Sequence, residues 1–279
     1  MPGGEIAVRD GVLRHAASDR QATFGELADA ASREAVPEEV FLKEPDEFRL
    51  IGTRVPRKDG PGKVDGTALF TQDVKLPGML TALVAHPSRF GARVKSFDAT
   101  RAKAVAGVVD VLEIPTGVAV LGRDFWSASQ GRDALKVEWD ESDAFTLGSA
   151  EIMSQYRQLA DTPGSVARHD GDAASALQSA SKVLRADMEF PYLAHAAMEP
   201  MNCVMQRTGE GVEVWNGEQF QTPDQQAIAK AFGIAPEQVK INMLYAGGSF
   251  GRRANPASDY LLETAAILKA IDGHAPVKL

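Results

Sequence analysis

An α+β fold is predicted by three features: strands and short helices are mixed along the chain, no repeat of fixed period organises them, and the composition is that of a globular protein. With 279 residues, 44% of them hydrophobic and 24% charged, the chain can bury a core, and two domains behind an N-terminal arm are expected.

Residues 1–48 read as a strand, a helix and a linker. Thr23 and Glu26 have capping-box spacing, ahead of the narrow apolar face Phe24, Leu27, Ala28 and Ala31. From Pro37 to Asp46 prolines and acidic residues dominate, which predicts an extended connector. A new character begins near Phe48, where Phe48-Arg49-Leu50-Ile51-Gly52 precedes a run of turn formers. Strands are expected over 79–85, 108–114, 117–121 and 135–139, with a helix opened by Asp98 and another over 125–134; together they form a module over residues 49–145.

The remaining part, residues 146–279, starts with a helix over 147–161. Asp172 caps a short helix, 182–190 alternates as a strand does, and Thr208-Gly209-Glu210-Gly211 joins two strands as a hairpin. Thr222-Pro223-Asp224-Gln225 predicts a helix with Thr222 as N-cap and Pro223 at its first position, stopped by Gly233. A strand over 239–245 then delivers the cluster Ala246-Gly247-Gly248-Ser249-Phe250-Gly251-Arg252-Arg253, and a helix over 259–269 follows, with Gly273 as its stop. The final residues, 275–279, read as a strand entered and not completed.

Strand, glycine turn and helix together would present backbone amides, a positive helix end and two arginines to a phosphate. The spacing is neither the Gly-x-Gly-x-x-Gly of dinucleotide sites nor a phosphate-binding P-loop. On spacing alone a tight structural turn fits the same letters better.

A net charge of -8 with no basic cluster argues against a nucleic-acid partner. Cys203 is the single cysteine, so an internal disulfide is impossible, and the thiolates of an iron–sulfur cluster or a structural zinc site would have to come from elsewhere. His15, His86, His169, His195 and His274 lack ligand spacing, no apolar run is long enough to cross a bilayer, and the N-terminus does not read as an export signal.

Five phrases in fixed order carry a resemblance: Arg49-Leu50-Ile51-Gly52 with Pro56-Arg57; Lys63-Val64-Asp65-Gly66; Leu76-Pro77-Gly78-Met79-Leu80; His195-Ala196-Ala197-Met198-Glu199-Pro200-Met201-Asn202-Cys203; and Gly247-Gly248-Ser249-Phe250-Gly251-Arg252-Arg253. The chain resembles the molybdenum-binding large subunit of the xanthine dehydrogenase and aldehyde oxidase superfamily, and within it the isoquinoline 1-oxidoreductase beta subunit and the membrane-associated aldehyde dehydrogenases.

The resemblance implies an α/β hammerhead domain over 49–145, followed by the first part of a molybdopterin-binding α+β domain over 146–279. It implies the molybdopterin cofactor, with the cytosine dinucleotide form as one candidate, and oxidation of an N-heterocycle or aldehyde with water as the oxygen source. The implied partners are an iron–sulfur small subunit holding the clusters, a cytochrome c subunit beyond it, and the remaining portions of the large subunit. The family's general-base glutamate lies in a C-terminal segment without a counterpart here, so no catalytic residue is assigned and this chain alone is expected to be inactive. The resemblance also points to a periplasmic or membrane-associated setting, with a cytoplasmic one left open.

Carried over by position, Gln219 falls where the family places a glutamine near the molybdenum ligands, and Gly247, Gly248, Ser249, Phe250 and Gly251 form the loop beside the cofactor, with Arg252 as an electrostatic contact. No residue is expected to bind the metal directly. Ser249 stands where a third glycine is commoner, and Ala254 where the xanthine-oxidising branch is acidic, which disfavours purine oxidation. Glu199 is read as a turn element and not as a base, and His195 as ordering the same turn. The competing reading is a non-catalytic binding or assembly piece folded around the hammerhead region.

Overall fold

The computed structural model describes residues 3–279, and the chain divides into two compact units, one ending at Pro61 and the other spanning Gly62–Leu279.

The first unit holds β1 (Ile6–Arg9), β2 (Val12–His15) and β3 (Arg20–Thr23), paired antiparallel in that order. Three strands form where the sequence suggested one. Asp10 and Gly11, at φ 51° and 78°, supply the two left-handed residues of a tight hairpin. Helix α1 (Phe24–Ala31) opens on the expected capping box: the Thr23 side chain accepts from the Glu26 amide, and the Glu26 carboxylate accepts from the Thr23 amide at 2.8 Å. This first unit ends at Pro61, and residues 48–60 before it form no strand or helix and none is buried.

The second unit contains β4 (Leu80–Ala85), β5 (Arg93–Asp98), α2 (Thr100–Lys103), β6 (Val108–Ile114), β7 (Gly117–Gly122), α3 (Phe125–Ala134), β8 (Lys136–Asp140), α4 (Ser149–Ala160), α5 (Ala173–Ser179), β9 (Val204–Thr208), β10 (Gly211–Asn216), α6 (Gln221–Phe232), β11 (Val239–Met243), α7 (Asp259–Ala270) and β12 (Val277–Lys278). Seven strands make one sheet in the order β11-β10-β9-β12-β4-β7-β6, while β5 and β8 pair separately. The sheet is continuous across residue 145, where the sequence suggested a boundary. Its continuity rests on β12, parallel to β4 and antiparallel to β9.

Strand β7 is buried throughout, and its alternation explains the layering. Ala119 and Leu121 belong to the main core with Met205, Val214, Ile228, Leu261 and Leu268, under α6 and α7. Val118 and Val120 face the opposite way, into a smaller cluster with Ala102, Val111, Phe97 and Val137. Mixed helix and sheet in this arrangement is the α+β class expected.

Three local expectations are corrected. The stretch 182–190 forms no strand: its alternation leaves Met188 75% and Phe190 74% exposed, and with no neighbouring backbone to complete a ladder the pattern alone does not make one. Helix α6 starts at Gln221, with Phe220 as N-cap and no side-chain cap, so Thr222 lies inside the first turn. Pro223 is tolerated as the third helical residue because first-turn amides have no partner within the helix. The helix after Asp98 is the single turn α2, and β5, unforeseen, precedes it.

Candidate functional site

Strands β10 and β11 run parallel in register from Val212 opposite Val239 to Asn216 opposite Met243, so both chains leave the sheet at the same edge. The carboxyl ends of adjacent parallel strands are where such sheets place ligands, because the following loops diverge there. After β10 come Gly217, Glu218, Gln219 and Phe220; after β11 comes the glycine turn. The Leu244 amide donates to the Asn216 carbonyl at 2.8 Å and keeps the two exits together. A Cβ at Gly217 would stand 2.9 Å from the Ala246 Cα, which explains glycine there.

Below the turn lies a buried ion pair. Arg253 is fully buried and donates to Glu199 Oε2 at 3.0 Å. Its other donors reach the Gly248 carbonyl at 3.1 Å, the Gly217 carbonyl at 3.4 Å and the Glu199 carbonyl at 3.3 Å. Glu199 also accepts from the Gly247 amide at 2.8 Å and from Asn202 at 3.2 Å. A buried charge is tolerated only when paired and saturated in this way. It also fixes why residue 247 is glycine: a Cβ there would lie 2.4 Å from the Glu199 Cβ. Glu199 is thus a structural residue of the turn, as its sequence context suggested.

Above that base, Ser249 donates to the Gln219 carboxamide oxygen and accepts from the Arg253 amide at 3.0 Å. Ser249 therefore ties the two loops together. Phe250 adopts φ 56° and is 76% exposed, an unusual backbone conformation for a bulky residue and an unusual exposure for phenylalanine. Gln219 and Gly251 are also exposed. The amides of Gly248, Ser249, Phe250 and Gly251 donate to no group among the described residues.

The expected cluster of positive charge does not form. Arg253 is spent on Glu199, and Arg252 makes a bidentate pair with Asp259 at 3.0 and 2.7 Å. Residues 252–258 separate the turn from α7, so the helix end does not adjoin the glycines. What remains for a ligand is a rim of free amides, one carboxamide and one exposed ring. With the Gln219 oxygen already accepting from Ser249, this is a set of donors, suited to an acceptor-rich group.

Beneath Gln219 sits a second buried polar group. Asn216 Nδ2 lies 3.0 Å from Glu218 Oε1 and 2.7 Å from the Tyr260 hydroxyl, and Ser258 donates to Asp224 Oδ1 at 2.5 Å. Burial, then hydrogen bonding to Asp224, pushes the Glu218 carboxyl up to about 8. Burial likewise raises the Tyr260 hydroxyl and the Cys203 thiol above their ordinary ranges. Asn216, Glu218, Asp224 and Tyr260 carried no signal in the sequence: they are isolated polar letters, and only the fold collects them. Arg253 was visible as part of the motif, but its burial was not.

Comparison with known proteins supplies the lineage. Residues 159–279 match the molybdopterin cofactor-binding domain family. The chain is 30% identical to the isoquinoline 1-oxidoreductase subunit beta of Brevundimonas diminuta, over 97% of this chain and 40% of that protein. It is 31% identical to a membrane-bound aldehyde dehydrogenase of Gluconacetobacter polyoxogenes, over 94% of this chain and 36% of that protein. The chain thus spans well under half the length of these relatives. Among solved structures, quinoline 2-oxidoreductase from Pseudomonas putida 86 superposes with a TM-score of 0.61 at 20% identity, covering 81% of this chain and 34% of that one. Aldehyde oxidoreductase from Desulfovibrio gigas gives a TM-score of 0.61 at 19% identity, covering 85% and 31%; at such identities these likenesses speak to fold alone. The matched domain over residues 159–279 and the identities to these relatives agree on a likeness to the molybdenum-binding subunits of the xanthine dehydrogenase and aldehyde oxidase superfamily.

Proposed function

We propose that this chain forms one wall of a molybdopterin site in a molybdenum hydroxylase that oxidises an N-heterocycle or an aldehyde, with water as the oxygen source. The observation that carries the reading is the bond between Ser249 and Gln219, which joins the exits of two parallel strands around exposed amide donors. In this reading Gln219 hydrogen-bonds the cofactor, the amides of 248–251 orient it, Phe250 covers it, and Arg252 contributes at longer range through its pair with Asp259. The bound group supplies the redox chemistry, and the protein supplies position and exclusion of water. The general base and the rest of the pocket belong to sequence with which this chain would combine. We read residues 49–145 as the counterpart of the hammerhead domain and residues 146–279 as the first part of the cofactor-binding domain. Electrons would leave to an iron–sulfur subunit and then to a cytochrome c subunit. The cytosine dinucleotide form of the cofactor and a periplasmic or membrane-associated setting complete the reading; among the described residues no helix is long and apolar enough to cross a membrane.

The competing reading, a non-catalytic binding or assembly piece, is favoured by the internal pairing of the turn's charged groups: Arg253 with Glu199 and Arg252 with Asp259. The molybdenum and pterin content of the protein purified gently from its source, with copurifying polypeptides identified by mass, separates the two. Stoichiometric molybdenum, lost in Gln219→Ala, is expected. A folded protein devoid of molybdenum and of any iron–sulfur partner would refute the enzyme reading.

A further inference from the structure

We propose that residues 182–190 become a β-strand when this chain combines with further sequence of the same molybdenum-binding subunit, which pairs with their backbone and covers their apolar side chains. Leu184, Ala186, Met188 and Phe190 alternate with Arg185, Asp187 and Glu189, and Tyr192 continues the apolar series. In a strand this pattern gives one apolar and one charged face. Leu184 is 85% exposed, Met188 75% and Phe190 74%, and Tyr192 and Leu193 are comparably bare. Single apolar residues are common on protein surfaces, but a contiguous run of them marks a surface that another element covers. The backbone is equally uncommitted: among the described residues, no peptide group of 182–190 joins a backbone hydrogen bond. Pro191, with no amide to donate, ends the part that can pair.

The charged members of the stretch are already anchored. Arg157 of α4 donates from Nε to Glu189 at 2.6 Å, Arg185 lies 3.8 Å from Asp161 at the end of that helix, and the Tyr156 and Tyr192 hydroxyls are 2.5 Å apart. Residues 185, 189 and 192 thus meet 161, 157 and 156, so the stretch runs antiparallel to α4. Met153 and Ala160 of the helix line a cleft with Met188 and Phe190. Tied down in this way, the segment loses less chain entropy when a neighbouring strand arrives than a free linker would.

Two observations select the occupant. The stretch lies within residues 159–279, which match the cofactor-binding domain family, and the chain covers only 40% and 36% of two relatives. More than half of each relative is therefore sequence without a counterpart here. A separately folded subunit protects its own sheet edges, whereas chain of the same domain brings an unpaired strand with it, which favours that further sequence over a separate subunit or a second copy. Lys182 and Arg185 balance Asp187 and Glu189, so backbone pairing and apolar burial, and not charge, hold the occupant. Its chemistry follows: an extended segment with an apolar face to lie over Leu184, Met188 and Phe190. The pairing presupposes, as proposed above, that this chain combines with further sequence of such a subunit; it is independent of any contact between Gln219 and a cofactor.

The test is hydrogen exchange, resolved to peptides, on the chain alone and on the protein isolated gently from its source cells, as one polypeptide or several, with amine cross-linking from Lys182 to identify what lies beside the stretch. In the chain alone the amides of 182–190 are expected to exchange at nearly their intrinsic rate, and in the isolated protein about a hundredfold or more slowly. Met188→Asp is expected to leave the melting temperature of the chain alone unchanged, because the side chain is exposed there, and to abolish the protection in the isolated protein. Leu177→Asp on α5, 60% exposed and outside the stretch, is expected to change neither. Exchange at the intrinsic rate in the isolated protein, protection that survives Met188→Asp, or isolation of this chain with no further sequence overturns the proposal. So does protection in the chain alone that grows with concentration, which would make the occupant a second copy, or cross-links from Lys182 to an iron–sulfur polypeptide only. Absence of molybdenum from an isolated protein in which 182–190 is protected would remove the cofactor reading and leave the pairing standing.

Discussion

Replacing Glu199 by glutamine removes one charge from a pair that water does not reach: Arg253 is fully buried, and the Glu199 side chain is 7% exposed. Glutamine keeps the volume and still offers one oxygen to the Gly247 amide, so packing changes little. What is lost is the counter-charge of a buried guanidinium, and removing one partner of such a pair costs about 3–5 kcal/mol. Because Arg253 retains the Gly248, Gly217 and Glu199 carbonyls as acceptors, the lower end applies, about 3 kcal/mol. With a urea slope of about 1–3 kcal/mol per molar, the midpoint should fall by about 1–3 M. Trp126, Trp139 and Trp215 all lie in the second unit, so their fluorescence reports its unfolding directly. Glu199→Gln combined with Arg253→Met should lose less than the sum of the single losses, by about 1 kcal/mol or more. Strict additivity, or a midpoint shift under about 0.3 M, would mean that the two groups are solvated and uncoupled, and the account of the turn would fail.

Four further outcomes follow from the same structure. Gly247→Ala should lower the melting temperature by several degrees, about 2–3 kcal/mol, because its Cβ would overlap that of Glu199, 2.4 Å away. Cys203, buried and with its thiol pushed up, should resist a thiol reagent in the native protein and react with one equivalent in denaturant. Glu218 is raised above its ordinary 4.5 to about 8, so the native state holds a proton that the unfolded state gives up; stability should therefore fall as pH rises between those values, by on the order of a few kcal/mol, and Glu218→Gln should flatten that fall. His86 is raised by its bond to Glu263, so its contribution should be complete below about 6.5 and disappear as pH climbs through the raised value, a slope that His86→Ala removes and urea midpoints across pH would detect.

Local chemistry made much of the architecture legible. Thr23 with Glu26, Asp172 before α5 and Gly233 after α6 act as written, because a cap or a left-handed stop is decided by near neighbours. The stretch 182–190 misled for the opposite reason: alternation states which residues would share a face, whereas a strand also needs another strand paired to it, and among the described residues none pairs here. The site divides along the same line. Ser249 and Phe250 lay in a recognisable phrase, Gln219 was placed by the resemblance alone, and Ser249 and Gln219 meet at the end of two strands. Glu218 and Asp224 are ordinary acidic letters until α6 and α7 pack, and Arg252 and Arg253 looked like ligands for an anion until their own carboxylates took them.

Strand β12 adds a consequence for how the protein acquires its fold. Two local strand groups, β9 to β11 and β4 with β6 and β7, can each form from residues close in the chain. They become one sheet only when Val277 pairs with both Leu80 and Met205. Loop closure over most of the unit must precede that pairing, and such non-local contacts form slowly. The central seam should therefore be the last part of the sheet to set, leaving two half-sheets with open edges as the species most exposed to mispairing during folding.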